Sequence, residues 1–292
     1  LPTPPRAEPI DAAAAPTKAR WPARLDLSAV HDGQATRLRA RHQGPLRLLK
    51  TLYPEGPGIA HAVLVHPPGG LVGGDLLDIA LDVRPGAHLL VTTPAATRFY
   101  RSIAGEAAQT VVARVDEGAR LEWLPQETLA YEGCQGRNEL RLHLSRGAGV
   151  MAGEVLGLGL PGAGRPFRTG RLLQHLELPG LWLDRGWLDG RDTALMEGPC
   201  GLAGHRVLGS LVCAGTQPFA DPESLLADSR ALLEGPGAAG VTYLARPTGA
   251  VLLARVVGDD IESVSEALRA LRALWRSRIW SLPAPALRVW RT

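Results

Sequence analysis

Lysine is almost missing: only Lys18 and Lys50 occur, so 30 of the 32 basic residues are arginines. Arginine suits forked contacts with carboxylates and interface anchoring. A GC-rich coding sequence produces the same bias wherever a cation is needed. The pI is about 9.0, yet no Lys/Arg-rich run of the kind that tracks a phosphate backbone is present, so nucleic acid is not an expected partner. Cysteine is scarce too. Cys134, Cys200 and Cys213 make neither a C-x-x-C pair nor an even set, which argues against a disulfide framework or a structural zinc site and for a reducing compartment. No apolar run approaches the ~18 residues of a membrane span, and residues 1–20 lack the apolar centre of a signal peptide. The expectation is a cytoplasmic protein that does not cross a membrane.

Glycine and proline are plentiful, 34 and 24 residues, and they cut the apolar 45% of the chain into short pieces. Runs such as Ala60–Val65, Ile79–Val83, His88–Thr93, Gln109–Val115, Glu139–Leu144 and Arg171–Leu178 alternate with explicit turns, several with a period of two. The turns Arg84-Pro85-Gly86-Ala87, Asp116-Glu117-Gly118-Ala119 and Ser145-Arg146-Gly147-Ala148 recur at a step of roughly 30 residues, as stacked β-coils require. The reading is therefore mainly β, with many short strands in a stacked or coiled, β-helix-like architecture. Two helices are expected in the C-terminal third. Asp221-Pro222 starts the first, which Gly235-Pro236-Gly237 ends; Asp259 or Asp260 starts the second, with Ile261, Val264, Leu268, Leu271, Leu274 and Trp275 on one face. Residues 1–20, rich in Pro and Ala, read as a flexible arm, and residues 21–292 as one domain closed by a tail through Pro283-Ala284-Pro285 and Arg288-Val289-Trp290.

The densest motif is His66-Pro67-Pro68-Gly69-Gly70-Leu71-Val72-Gly73-Gly74-Asp75. No Gly-Lys-Ser/Thr or helical pattern follows, so it is not a phosphate loop. A rigid corner between two β-layers, with Asp75 bonding backbone amides, is one reading and a chemical site the other. A second cluster, Thr92-Thr93-Pro94-Ala95-Ala96-Thr97-Arg98-Phe99-Tyr100-Arg101-Ser102, has no Gly-x-Ser-x-Gly elbow. A third, Leu121–Thr128, places Glu122 and Glu127 around Pro125 beside Gln126, and Glu154 stands among small apolar residues. Burying such carboxylates requires a partner, water or a cation. Asp75, Glu127 and Glu154 are thus an acid/base pair, a metal path or polar ties in the core. The eight histidines form no zinc spacing, which leaves room only for a weakly held, hydrated divalent cation.

In this order the clusters resemble the urease accessory protein UreD (UreH) family. The resemblance is carried by Leu52-Tyr53-Pro54-Glu55-Gly56, the His66–Asp75 motif, Thr92–Ser102, Leu124-Pro125-Gln126-Glu127-Thr128, Gly249–Arg255 and Arg288-Val289-Trp290. It implies a non-enzymatic maturation factor that binds UreF, through it the GTPase UreG, and apo-urease, into which nickel is inserted. Nickel would be in transit, with no cofactor held permanently. It further implies an internal nickel passage with Asp75, Glu127 and Glu154 as stations. His66, Gly69, Gly70, Gly73, Gly74, Thr93, Thr97, Arg98, Tyr100, Arg101, Ser102 and Gln126 would form its wall or a structural motif. The chain departs from the family pattern after Glu154, at Gly157-Leu158-Gly159-Leu160-Pro161-Gly162-Ala163-Gly164-Arg165-Pro166. The residues also admit a β-helical carbohydrate-active enzyme using Glu127 and Glu154, which needs them about 5–10 Å apart across an open cleft, or a β-rich small-ligand module.

Overall fold

The computed structural model describes residues 21–160, 163–234 and 238–291. The Pro/Ala-rich arm, the helix stop at Gly235-Pro236-Gly237, and Pro161-Gly162 in the departing stretch lie outside the described residues. The strand β1 (Trp21–His31) turns back as β2 (Thr36–Gln43), and the short β3 (Arg47–Leu48) leads into a stack of coils. The first coil is β4 (Ile59–Val65) and β5 (Asp75–Val83); the second is β6 (His88–Thr92), β7 (Thr97–Phe99) and β8 (Ala107–Val115). The third is β9 (Arg120–Leu124), β10 (Thr128–Ala130) and β11 (Gln135–Leu144), and the fourth is β12 (Gly149–Leu160), β13 (Arg165–Pro166) and β14 (Arg171–Leu178). One wall is the parallel ladder β4, β6, β9, β12; the other is β5, β8, β11, β14. This is a β-solenoid of about four turns.

The repeated turns explain the stacking. Gly86, Gly118 and Gly147 have φ of +69°, +65° and +70°, a conformation that glycine adopts without a side-chain penalty. Gly86 N–H donates to Glu117 O at 3.1 Å and Gly118 N–H to Arg146 O at 3.3 Å, so each turn rests on the next. Along β5 and β8 every second residue is buried, and Leu77, Ile79, Leu81, Val111, Ala113 and Val115 fill the space between the walls.

Antiparallel strands finish both walls. β1 pairs in parallel with β5 while β2 takes its outer edge, and β15 (Trp182–Asp189) closes the other end of that wall. After α1 (Thr193–Glu197), β16 (Val207–Gly215) pairs with β12. α2 (Pro222–Leu232) follows, then β17 (Ala238–Arg246), β18 (Gly249–Gly258) and α3 (Ile261–Trp280). α1 makes three α-helices among the described residues where two were expected; its five residues are too few for apolar periodicity to reveal. Asp221 and Asp260 cap α2 and α3, their side chains accepting from Ser224 N–H and Ser263 N–H. The face of α3 bearing Val264, Leu268, Leu271 and Trp275 lies buried against β16 and β18, so it belongs to the core. The tail also lies on the body, with Leu287 buried and Trp290 Nε1 donating to Thr92 Oγ1 at 2.8 Å.

Candidate functional site

The two motifs richest in glycine and hydroxyl groups are folded against each other. Leu71 N–H donates to Arg98 O at 2.7 Å and Tyr100 N–H to Leu71 O at 2.9 Å. A Cβ on Gly70 would stand 2.2 Å from the Tyr100 ring, and one on Gly73 would stand 2.0 Å from Ala104 O and 2.2 Å from Ser102 Oγ. Bare backbone is thus required at both positions for the His66–Asp75 corner to seat on the Thr97–Ser102 segment. Asp75 belongs to that corner: its Oδ2 accepts from Val72 N–H at 2.9 Å. Gly74 N–H reaches Glu106 O, Ser102 Oγ donates to Gly105 O, the exposed Tyr100 stacks on Tyr131, and the Arg101 side chain lies over Gly133.

Behind the corner is a cavity of about 100 Å³, lined by His66, Gly69, Gly70, Thr93, Thr97 and Arg98 together with Gln109 and Trp123. Burial holds the His66 imidazole below its usual pKa, against the pull of Asp75. The Trp123 indole N–H is buried there without a protein acceptor among the described residues.

A second opening arises where a proline interrupts a wall. The β9 ladder on β12 ends at Trp123–Ala152, Pro125 follows, and pairing resumes only at Thr128–Leu156. Gly153, Glu154 and Val155 are therefore paired with β16 on one side and face a gap on the other. The gap is a cavity of about 50 Å³ lined by Pro125, Gln126, Glu127, Glu154, Arg269 and Arg272, among others. Gln126 is fixed at its rim, its N–H donating to Thr93 Oγ1 at 2.9 Å.

Glu154 shares its parity with Ala152 and reaches into the solenoid. Asn138 Nδ2 donates to Oε1 at 3.2 Å and Gln174 Nε2 to Oε2 at 3.1 Å, while Gln109 Nε2 donates to Asn138 Oδ1 at 3.1 Å. Gln109 lines the first cavity and Glu154 the second, so a chain of amides and one carboxylate joins the two openings through the core. Burial pushes the Glu154 carboxyl up to about 7, against the two amide donors and the Arg255 charge. Gln109, Asn138 and Gln174 were not singled out from sequence, although a polar residue at an inward position of an alternating strand is the available signal.

Sequence reasoning also missed a network on the opposite side of the β9 wall. Glu122, fully buried, accepts from Arg276 Nε at 3.0 Å, from Arg272 Nη2 at 2.9 Å and shares a hydrogen bond with His88 Nε2 at 3.0 Å. Arg276 also donates to Glu55 at 2.6 Å, and Glu55 is bonded to His61 at 2.8 Å. Burial alone would raise the Glu122 pKa, but His88, Arg272 and Arg276 outweigh it and hold the carboxyl at about 2.

Asp75, Glu127 and Glu154 do not converge. Glu127 and Glu154 share a cavity, whereas Asp75 is occupied by backbone, and no three His, Cys, Asp or Glu side chains form a metal-holding group among the described residues. A cavity of about 50 Å³ falls far below the ~300–1,000 Å³ of ordinary ligand sites, so it offers no open cleft for a glycan between Glu127 and Glu154.

The profile of the family described as UreD urease accessory protein matches residues 22–291. The chain belongs to the UreD family. The urease accessory protein UreD of Leptothrix cholodnii is 47% identical over 276 residues, covering 93% of this chain and 99% of the relative. The UreD of Paracidovorax citrulli is 48% identical over 272 residues, covering 92% and 99%. That of Verminephrobacter eiseniae is 44% identical with the same coverage. No helix of the chain among the described residues is long and apolar enough to cross a membrane.

Proposed function

We propose that the chain serves urease maturation as a non-enzymatic cytoplasmic scaffold. It binds UreF, which brings the GTPase UreG, and the assembly sits on apo-urease during GTP-dependent nickel insertion. Nickel is cargo rather than a resident group, and it crosses the solenoid between the glycine corner and the window at Pro125. The observation supporting this reading is the line Gln109, Asn138, Glu154 that joins the two cavities through the core. Amide and carboxylate oxygens suit brief, partly hydrated contact with a divalent ion, because they release it more readily than thiolate or imidazole cages would. Glu154 and Glu127 are the cation-attracting stations; Arg98 at the first cavity repels a cation and belongs to the wall.

The test co-expresses the chain with a tagged UreF, then adds UreG, GTP, nickel and apo-urease. A stoichiometric complex with UreF is expected, and Glu154→Ala should preserve that complex while lowering nickel incorporation tenfold or more. A chain that is folded and monodisperse yet ignores UreF sinks the scaffold reading. Wild-type nickel incorporation by Glu154→Ala and Glu127→Ala sinks the passage.

A further inference from the structure

The arginines of α3 that lie nearest Arg120 are paired with acids, whereas Arg120 has no such partner among the described residues. Arg272 and Arg276 are tied to Glu122, and Arg278 is held by Asp228 and, at 3.6 Å, by Asp221. Arg120, half-buried at the start of β9, meets no acceptor within hydrogen-bond distance among the described residues. It lies over an indole: the guanidinium carbon is 5.5 Å from the centre of the Trp280 ring. That ring is itself braced edge-on by His88, 5.6 Å away at 83°. The platform is therefore anchored to the Glu122 network and cannot readily swing off.

Arg120 and Trp280 face a cavity of about 290 Å³ between the Gly147–Gly149 turn, the loop after β16 and the ends of α2 and α3. Thr216 is at its wall, where its Oγ1 accepts from Gly147 N–H at 2.7 Å and its hydroxyl proton is left to donate elsewhere. The one acid of the lining, Asp221, accepts from Ser224 N–H and stands near Arg278, so it is already satisfied. The cavity thus presents a guanidinium with no directly bonded acid among the described residues, a planar fork of N–H donors on an aromatic face, and a spare hydroxyl. A guanidinium fork matches the two oxygens of a carboxylate. A phosphate dianion would bring two charges to a lining that also holds Asp221 and whose second cation, Arg278, is already taken by Asp221 and Asp228.

We propose that Arg120, seated on Trp280, receives a single carboxylate in this cavity. Its source is either an acidic side chain of a partner protein or a free small carboxylic acid. The full chain, in the form in which it is purified, is titrated at constant ionic strength with propionate, with an acetylated and amidated Gly-Glu-Gly peptide, and with inorganic phosphate. Melting temperature and ligand-observed NMR are followed. Both carboxylates should bind saturably and phosphate at least tenfold more weakly, and Arg120→Gln should weaken the carboxylates tenfold or more. Arg120→Lys, which keeps the charge and loses the fork, should fall between. A peptide much tighter than propionate assigns the site to a partner's acidic side chain, and equal affinities assign it to a free acid. Equal response to phosphate, no saturable response, or an undiminished response in Arg120→Gln overturns the proposal. Should Arg120→Gln fail to fold, Arg120→Lys and Thr216→Val decide in its place, unchanged binding in both being the overturning result.

Discussion

Replacing Glu122 by Gln keeps the shape of the side chain and removes the one charge that two buried guanidinium groups share. Arg272 is 5% exposed and Arg276 fully buried, so neither can turn to water, and Arg276 already has one buried N–H group without a partner. Breaking a buried ion pair from one side costs about 3–5 kcal/mol. Linkage gives a consistent figure: a carboxyl held at about 2 in the folded chain against an ordinary 4.5 corresponds to roughly 3 kcal/mol. In a chain of this size that lowers the melting temperature by roughly 6–15 °C. The pH dependence has a fixed sign. A depressed folded-state pKa means that the stabilisation is complete above pH 4.5 and lost as pH falls toward 2, so the gap between wild type and Glu122→Gln should be full at pH 7 and close in acid. Urea titrations at pH 7, 4 and 3 measure it. A variant within 2 °C of wild type at pH 7, or a gap that widens in acid, refutes the reasoning, because the charge would then not be what holds α3 to the solenoid.

The carboxyl of Glu154 has the opposite sign: raised to about 7 by burial, it stabilises the fold below pH 4.5 and loses that contribution as pH rises through 7. Glu154→Gln should therefore gain stability relative to wild type between pH 5 and pH 8, by about 2–3 kcal/mol in denaturant titrations, and a flat difference across that range rejects it. Gly70→Ala should destabilise by about 2–4 kcal/mol through overlap with the Tyr100 ring, whereas Gly118→Ala, with open space around its Cβ, should cost only about 1 kcal/mol. Equal melting temperatures for the two variants would contradict the packing of corner on segment. Trp290→Phe removes the hydrogen bond to Thr92 and should cost about 1 kcal/mol, read as a small loss of melting temperature together with faster amide exchange in the tail.

The solenoid was legible because its determinants are local. Turn glycines at a constant step, strands of period two and the caps Asp221 and Asp260 each act within a few residues, and each appears in the fold where the sequence implies it. The direction of pairing was not legible. Period-two strands with short turns suit an antiparallel meander equally well, and only the stacking of one coil on the next, a contact roughly 30 residues distant, makes the ladders parallel. The α3 stripe was read from its apolar members, but Arg272 and Arg276 were invisible on the same face, because an arginine in a helix ordinarily marks the solvent side. What inverts that rule is Glu122, 150 residues away in the chain.

The same distance effect separates the carboxylates of the third and fourth coils. Glu122 and Glu154 lie on neighbouring strands of one wall, yet Glu122 faces α3 and Glu154 faces the solenoid interior. Alternation puts them on opposite faces, so one is met by arginines and held ionised, while the other is driven toward protonation by a burial that its amide donors only partly offset. Pro125 then breaks the wall beside Glu154 and opens the interior carboxylate to a cavity that Arg272 also lines, and Arg272 is itself bonded to Glu122. The two systems therefore share one residue across the gap. The charge that acts on Glu154 itself is Arg255 of β18, which pulls against its burial and is paired with Asp184 of β15, so the interior carboxylate is coupled to the strands that finish both walls.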